Sequence, residues 1–387
     1  MITIKDKSEC CGCSACASIC PKSCISMKSD DEGFLYPHTD VSLCVNCSAC
    51  NRVCPMPEHA VNIIPFGKST SYAACSIDDK LLAESSSGGV FSLIASKIIK
   101  DGGVVFGVAW EGEKVCHIKV NSIQDLNLLR GSKYTQSDVG STLREVRNLL
   151  EDKIPVLYSG TPCEIAGLKS YIKTNSDLLT TVEVACHGAP SPKVLSAYLE
   201  ELKSVYGVDN IKLNFRSKVK GWNDYHIDAY NGCQRLLSES HRDNIFMKGF
   251  LHELYSRPSC HNCQFKGNYS GADFTLADFW GIETACPDFP SESGASLVIA
   301  NTEKGKCLWE TLLPDLRILP IDLAVALRHN GSLLHSETPH PERSYFFKQM
   351  SSEKSIVTLI NRCLRMRKIV RFKLILTAIL KRIFLQH

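Results

Sequence analysis

From residue 72 onward, short apolar runs alternate with stretches whose apolar residues recur at helical spacing. Tyr72–Ser76, Gly103–Trp110, Val156–Tyr158 and Thr181–Ala185 read as strands, and Val90–Ile99, Leu143–Leu150, Glu164–Ile172 and Lys193–Val205 read as helices. Strands alternating with helices predict an α/β body with a largely parallel or mixed sheet. The first 64 residues lack that alternation. Pro65–Ser71 (PFGKSTS) then reads as a linker by its proline, glycine and serine content. At the far end Ile369, Phe372, Leu376, Ile379, Leu380 and Ile383 share one helical face, with Lys368, Arg371, Lys381 and Arg382 opposite. The longest uncharged run there is seven residues, Leu374 to Leu380, well short of the ~20 that span a bilayer. The pattern divides the chain into a small α+β unit (1–65), a linker (66–71), an α/β body (72–345) and a basic amphipathic helical tail (346–387).

Charge sharpens this division. The formal net charge is +3, but residues 351–387 hold nine Lys or Arg and one acidic residue, Glu353. The rest of the chain has 35 basic against 40 acidic residues. A mildly acidic body gives no footing for nucleic acid. The tail suits peripheral contact with an anionic membrane or with a partner protein, or else packs on the body as a terminal helix.

The chain has twenty cysteines, ten of them between Cys10 and Cys54. The opening MITIKDK leads into no apolar run of a signal peptide, so a reducing cytoplasm is expected and clustered thiols read as metal ligands rather than disulfides. Cys10, Cys13, Cys16 and Cys20 precede Pro21, and Cys44, Cys47, Cys50 and Cys54 precede Pro55. Both follow C-x2-C-x2-C-x3-C-P, the ligand run of bacterial two-cluster ferredoxins, in which the fourth Cys serves the other cluster. One [4Fe–4S] cluster is therefore expected on Cys10, Cys13, Cys16 and Cys54, and the second on Cys44, Cys47, Cys50 and Cys20. Structural zinc favours paired C-x2-C with longer spacers, a poorer match. Cys11 and Cys24 are surplus to the eight ligands and read as small buried residues near the clusters. So small a unit depends largely on its clusters for stability.

In the body, Ser85–Gly89 lead into the helix at Val90. A glycine turn at a helix N-terminus suits a phosphate, but a plain N-cap explains it as well. Cys163 and Cys186 each follow a strand, at the end where α/β sheets place ligands, and Cys260-x2-Cys263 is a metal-type pair. Spacing alone leaves two readings open: a third [4Fe–4S] cluster, or isolated buried cysteines with zinc or no metal.

Seven motifs in order carry a resemblance: SSGGVF (86–91), RGSKYTQSD (130–138), YSGTPCEIAGLKSY (158–171), VACHGAPSPKV (184–194), FRSKVKGW (215–222), RPSCHNCQFK (257–266) and DFTLADFWGI (273–282). Together they resemble the coenzyme F420 hydrogenase/dehydrogenase beta-subunit family, including relatives fused to an N-terminal ferredoxin. The resemblance implies a flavin-binding, iron–sulfur electron-transfer protein. It implies FAD near Ser87, Gly88, Gly89, Arg130, Gly131, Ser132, Lys133 and Thr161, and a third cluster on Cys163, Cys186, Cys260 and Cys263. The partner it implies is an electron donor or acceptor protein, or a reduced deazaflavin-like cofactor. Members also act on other organic substrates, and some sit with genes for surface polysaccharides. Arg216, Lys218 and Lys266 are candidates to grip an acidic substrate. His187 reads as a structural histidine, and Asp273 and Asp278 as residues that position loops. The expected function is an iron–sulfur flavoprotein oxidoreductase. The alternatives are a non-catalytic electron-transfer subunit and a scaffold that keeps clusters without flavin.

Overall fold

The computed structural model describes residues 1–56, 69–174 and 176–366. The N-terminal unit is a hairpin of β1 (Ile25–Ser29) and β2 (Leu35–Thr39), with one-turn helices Ala15–Ile19 and Ala49–Arg52. Each of those helices holds the third cysteine of one run, Cys16 or Cys50.

The body is built on one eight-stranded sheet. Its strands are β3 (Thr70–Ser76), β4 (Val104–Glu111), β5 (Lys114–Val120), β6 (Val156–Gly160), β7 (Leu179–Val184), β11 (Phe274–Asp278), β12 (Ser296–Ala300) and β13 (Leu316–Pro320). The order is β13-β3-β12-β11-β7-β6-β4-β5. β4, β6, β7 and β11 run parallel, and the outer pairings are antiparallel. The apolar runs are near-continuous because this sheet is covered on both faces: Val156, Leu157 and Tyr158 are fully buried. Helices Val90–Lys100, Thr142–Glu151 and Pro162–Ile172 are among those that cover it. β8 (Lys212–Ser217), β9 (His226–Asn231) and β10 (Gln234–Ser240) form a separate antiparallel meander. It packs with helix Pro192–Tyr206 in a second core containing Tyr198, Phe215, Phe246 and Phe250.

The helix and strand expectations in the body agree with the structure to within a few residues. The linker differs: Thr70 and Ser71 already belong to β3, paired with Ala300 and Ile299, and residues 57–68 lie outside the described ones. The tail boundary needs correction. Helix Arg343–Met350 and the helical residues 356–366 join the second core, where Phe346, Leu359, Ile360 and Cys363 are fully buried. Their apolar residues are more numerous than a free basic tail allows, so the body extends to at least residue 366. The amphipathic face at 369–383 lies outside the described residues. Among the described residues no helix is long and apolar enough to cross a membrane.

The N-terminal unit sits on the body through its first cysteine loop. At Gly167, in helix Pro162–Ile172, an added Cβ would lie 2.6 Å from Cys13 Cβ and 2.8 Å from its sulfur. Gly12 (φ +80°) is equally confined, by Gln136 and the Arg257 guanidinium. Around them Arg144 donates to the Ser18 and Ala17 carbonyls at 2.9 and 2.8 Å, and Ser170 donates to Val53 O at 2.6 Å. Arg343 forks onto Glu32.

Gly167→Ala should therefore push the Cys13 loop off the body and destabilise the protein by about 1–3 kcal/mol. Gly331→Ala is the control, since nothing lies within 4 Å of its added Cβ. A lower urea midpoint for the first variant and an unchanged one for the second is the expected result.

Candidate functional site

Strands β3, β6, β7 and β11 all end on the same edge of the sheet, the carboxyl edge where open α/β sheets take ligands. A cavity of ≈ 490 Å³ opens there, within the range of small-molecule and cofactor sites. After β6 the run Thr161-Pro162-Cys163-Glu164 forms a capping box. Glu164 Oε2 accepts from Thr161 N at 2.7 Å and from Thr161 Oγ1 at 2.9 Å. Pro162 at the first helical position fixes the turn. The cap thus sets Cys163 in the first turn of the helix, its sulfur 3.3 Å from Thr161 Oγ1.

After β7 comes Cys186, and the 3-10 turn Pro258–Asn262 delivers Cys260 and then Cys263. All four cysteines line the one cavity. The Ala189 N–H donates to Cys260 Sγ at 3.3 Å, and Ser336 Oγ accepts from Cys263 N at 2.9 Å. Burial and the neighbouring Cys163 push Cys260 up to about 12. Burial and the neighbouring Cys260 raise Cys186 as well. Left alone, these are protonated thiols; a bound cation reverses this, because a coordinating thiol is deprotonated outright. Four such thiols with no carboxylate among them are a soft donor set that fits iron–sulfur ligation.

The N-terminal cysteines separate into two groups. Cys16 is pushed up to about 12 by burial, then by Cys10 and Cys54. At Cys13 the hydrogen bond with Cys11 pulls the thiol down, but burial, Cys16 and Cys10 outweigh it and the net shift is upward. Cys20, Cys44, Cys47 and Cys50 line a separate cavity of ≈ 20 Å³. The two surplus cysteines fall beside these groups. Cys24 lies 3.3 Å from Cys20, sulfur to sulfur. Cys11 is buried and lines the large cavity, with Cys13 and Cys163 both acting on its thiol, so it stands between the N-terminal unit and the body cysteines. Among the described residues, no three His, Cys, Asp or Glu side chains meet at single-ion distance.

The structure also gathers the residues tied to FAD by resemblance. Ser85–Ser87, Gly89, Arg130–Lys133 and Thr161 all line the large cavity. Ser132 N donates to Ser86 Oγ at 3.1 Å, joining the two loops. No side chain caps helix Val90–Lys100, whose first N–H groups begin at Gly89; uncapped donors beside a glycine–serine turn fit a phosphate. Gly88 serves packing: an added Cβ would overlap Ala74 O and crowd Ser296.

In this structure the basic residues are held by protein groups. Arg130 pairs with Glu84 and donates to Ser92 Oγ at 3.1 Å. Lys133 donates to Arg130 O at 2.8 Å and Leu128 O at 3.2 Å, and burial, with Lys212 adding its charge, pushes it down to about 7. Lys218 donates to Leu82, Ser87 and Ser293 carbonyls. Lys266 donates to Cys186 O and, at 2.6 Å, to Ser332 O. These lysines fix loops around the cavity rather than offer free charge to it.

Arg216 forks onto Asp278 at 2.6 and 3.0 Å, its guanidinium 4.2 Å from the Tyr225 ring centroid and 5.4 Å from that of Trp280. Trp222 donates to the same Asp278 at 3.1 Å and stacks on Trp280 at 5.1 Å. Tyr225 and Trp280, with Tyr134 and Phe250, form an aromatic wall of the cavity. His187 sits 2.7 Å from buried Glu253. Asp273 accepts from Thr181 N and Oγ1, tying β7 to β11.

The sequence reading missed Arg257. It is 1% exposed and donates to Cys10 O at 2.8 Å, Leu35 O at 2.9 Å and Gln136 Oε1 at 2.8 Å. Its position three residues before Cys260, inside RPSCHNCQFK, was the available signal.

Residues 155–320 match the family model for the C terminus of the coenzyme F420 hydrogenase/dehydrogenase beta subunit. Those residues include all four body cysteines, Arg216, Arg257 and Lys266. Among solved structures, a chain of the F420-reducing [NiFe] hydrogenase complex from Methanosarcina barkeri is similar at a TM-score of 0.46 and 16% identity, over 78% of this chain and 92% of that one. No curated protein matches the chain.

Lys266→Met should leave the Cys186 and Ser332 carbonyls without their donor and destabilise the cavity by about 1–3 kcal/mol. Lys266→Arg, which retains donors, should recover most of the loss in a chemical denaturation series.

Proposed function

We propose that this chain, whose residues 155–320 match the model of the coenzyme F420 hydrogenase/dehydrogenase beta-subunit family, is an iron–sulfur flavoprotein oxidoreductase. In this reading it passes electrons between two ferredoxin-type [4Fe–4S] clusters, a third cluster in the body, FAD and an organic substrate, within the cytoplasm. The matched family, a hydrogenase/dehydrogenase subunit family, carries a redox role.

The observation that carries it is the meeting of Cys163, Cys186, Cys260 and Cys263 on one cavity that Cys11 also lines. These four come from three separate stretches of chain, and no folding requirement draws four thiols together at a sheet edge. A flavin there would take or give a hydride's two electrons, while iron–sulfur clusters move electrons singly.

The chain's own residues support that chemistry in distinct ways. The Ala189 N–H aimed at Cys260 favours its thiolate. The Thr161 cap and the Lys266 donor set hold Cys163 and Cys186 in place at their separate loops. The Ser85–Gly89 turn and the uncapped helix at Val90 present backbone N–H groups to a diphosphate. Tyr225 and Trp280 give a flat ring a surface to lie against, and the Arg216–Asp278 pair gives it a donor and an acceptor at its edge.

Anaerobically purified protein should carry about twelve iron and about twelve sulfide per chain together with FAD. Cys260→Ser with Cys263→Ser should remove about four of the irons and leave the ferredoxin signals in the electron paramagnetic resonance spectrum. About eight irons in the unmodified protein would remove the body cluster from the proposal, and absence of flavin would remove the hydride chemistry.

A further inference from the structure

The N-terminal unit is mounted with a definite polarity. Its first cysteine loop is pressed to the body, with Cys10 O and Cys11 O accepting from Arg257 and Gln136. The start of its second loop, before Cys50, is open to solvent, although the end of that loop contacts the body through Val53. Cys47 is exposed, and Val41, Leu43 and Val45 around it are 65%, 56% and 56% exposed. Three large aliphatic side chains standing in water within five residues is unusual and marks a contact surface.

Charge adds a second observation. Segments Cys10–Lys28 and Asp40–Met56 contain Lys22, Lys28 and Arg52 against one carboxylate, Asp40, which is exposed and accepts from Ser42 N and Oγ. All three basic residues are exposed. The cavity behind this loop is only ≈ 20 Å³, far below the roughly 300 Å³ at which organic cofactor sites begin. Whatever exchanges electrons here must approach as a surface.

We propose that the Val41–Val45 face is the docking surface for a soluble electron-transfer protein with an acidic rim, and that electrons cross it one at a time. In each crossing the partner's reduced centre loses one electron and the cluster on Cys20, Cys44, Cys47 and Cys50 gains it; no bond or proton changes hands. The apolar side chains exclude water at the centre of the contact, and Lys22 and Arg52 steer the approach. The inference rests on the ferredoxin part of the proposed function and is independent of the flavin.

The test uses full-length, cluster-loaded protein and a chemically reduced acidic two-cluster ferredoxin as donor, followed by stopped-flow bleaching of the iron–sulfur absorbance. Leu43→Asp with Val45→Asp should slow reduction by roughly tenfold or more. Lys22→Glu with Arg52→Glu should slow it at low salt and flatten its salt dependence. Lys100→Glu, on a remote helix end, should leave the rate unchanged. Reduction by dithionite, which needs no docking, should be the same in every variant. Ferredoxin rates unaffected by the first two pairs of changes would overturn the proposal, as would no reduction of unmodified protein by ferredoxin while dithionite succeeds. It is equally overturned if the face proves to hold a second copy, seen as a dimer that Leu43→Asp with Val45→Asp dissociates, or a membrane, seen as flotation with anionic liposomes lost in that variant. Protein that dithionite does not bleach would instead refute the clusters themselves.

Discussion

The buried guanidinium of Arg257 is the contact on which the arrangement of this molecule depends. It leaves the body one residue before the turn that carries Cys260 and Cys263, and reaches the backbone of Cys10 and Leu35 in the N-terminal unit. Its face lies 4.2 Å from the Tyr36 ring centroid. The described ion pairs give it no carboxylate; carbonyl dipoles, an amide oxygen and an aromatic face satisfy it instead. A cation so placed is costly to bury, and it is best compensated where anionic groups form on either side. Its charge acts on Cys260 as well, so one residue both joins the two halves and acts on the cysteines at the joint.

Much of this was legible in the sequence because the signals were local. A C-x2-C spacing or an apolar run at helical spacing records its own geometry, and for that reason Glu164–Ile172 was legible as a helix, whereas Thr161 entered only through the resemblance. The meander β8–β10 was not anticipated. Its strands are as long as those of the central sheet, but β10 is mostly exposed or half-buried, so the meander lacks the apolar runs that marked that sheet. The tail boundary was misjudged for a related reason. Lys354, Arg362 and Arg365 dominate the composition of that stretch, while Ile356, Leu359, Ile360 and Cys363 between them form the buried face.

The lysines show what local reading cannot supply. Lys133, Lys218 and Lys266 look in the sequence like charges available to an anion. In the structure each ammonium donates to backbone carbonyls instead. A lysine's long stem lets its head reach solvent, an anion or a carbonyl several residues away, and only the surrounding fold decides which. At this sheet edge the loops carry few regular hydrogen bonds of their own, and their carbonyls need donors. The lysines meet that need, and the cavity keeps its shape.

That division of labour bears on how the cavity selects a ligand. Arg130 is paired to Glu84 and Arg216 to Asp278, while the lysines are held by carbonyls; Arg257, with no carboxylate among the described ion pairs, also lines the cavity. Under the proposed function, recognition would rest on the uncapped N–H groups at Val90 and on the aromatic wall of Tyr225 and Trp280, which suit a flat ring system attached to a phosphate by shape and hydrogen-bond placement.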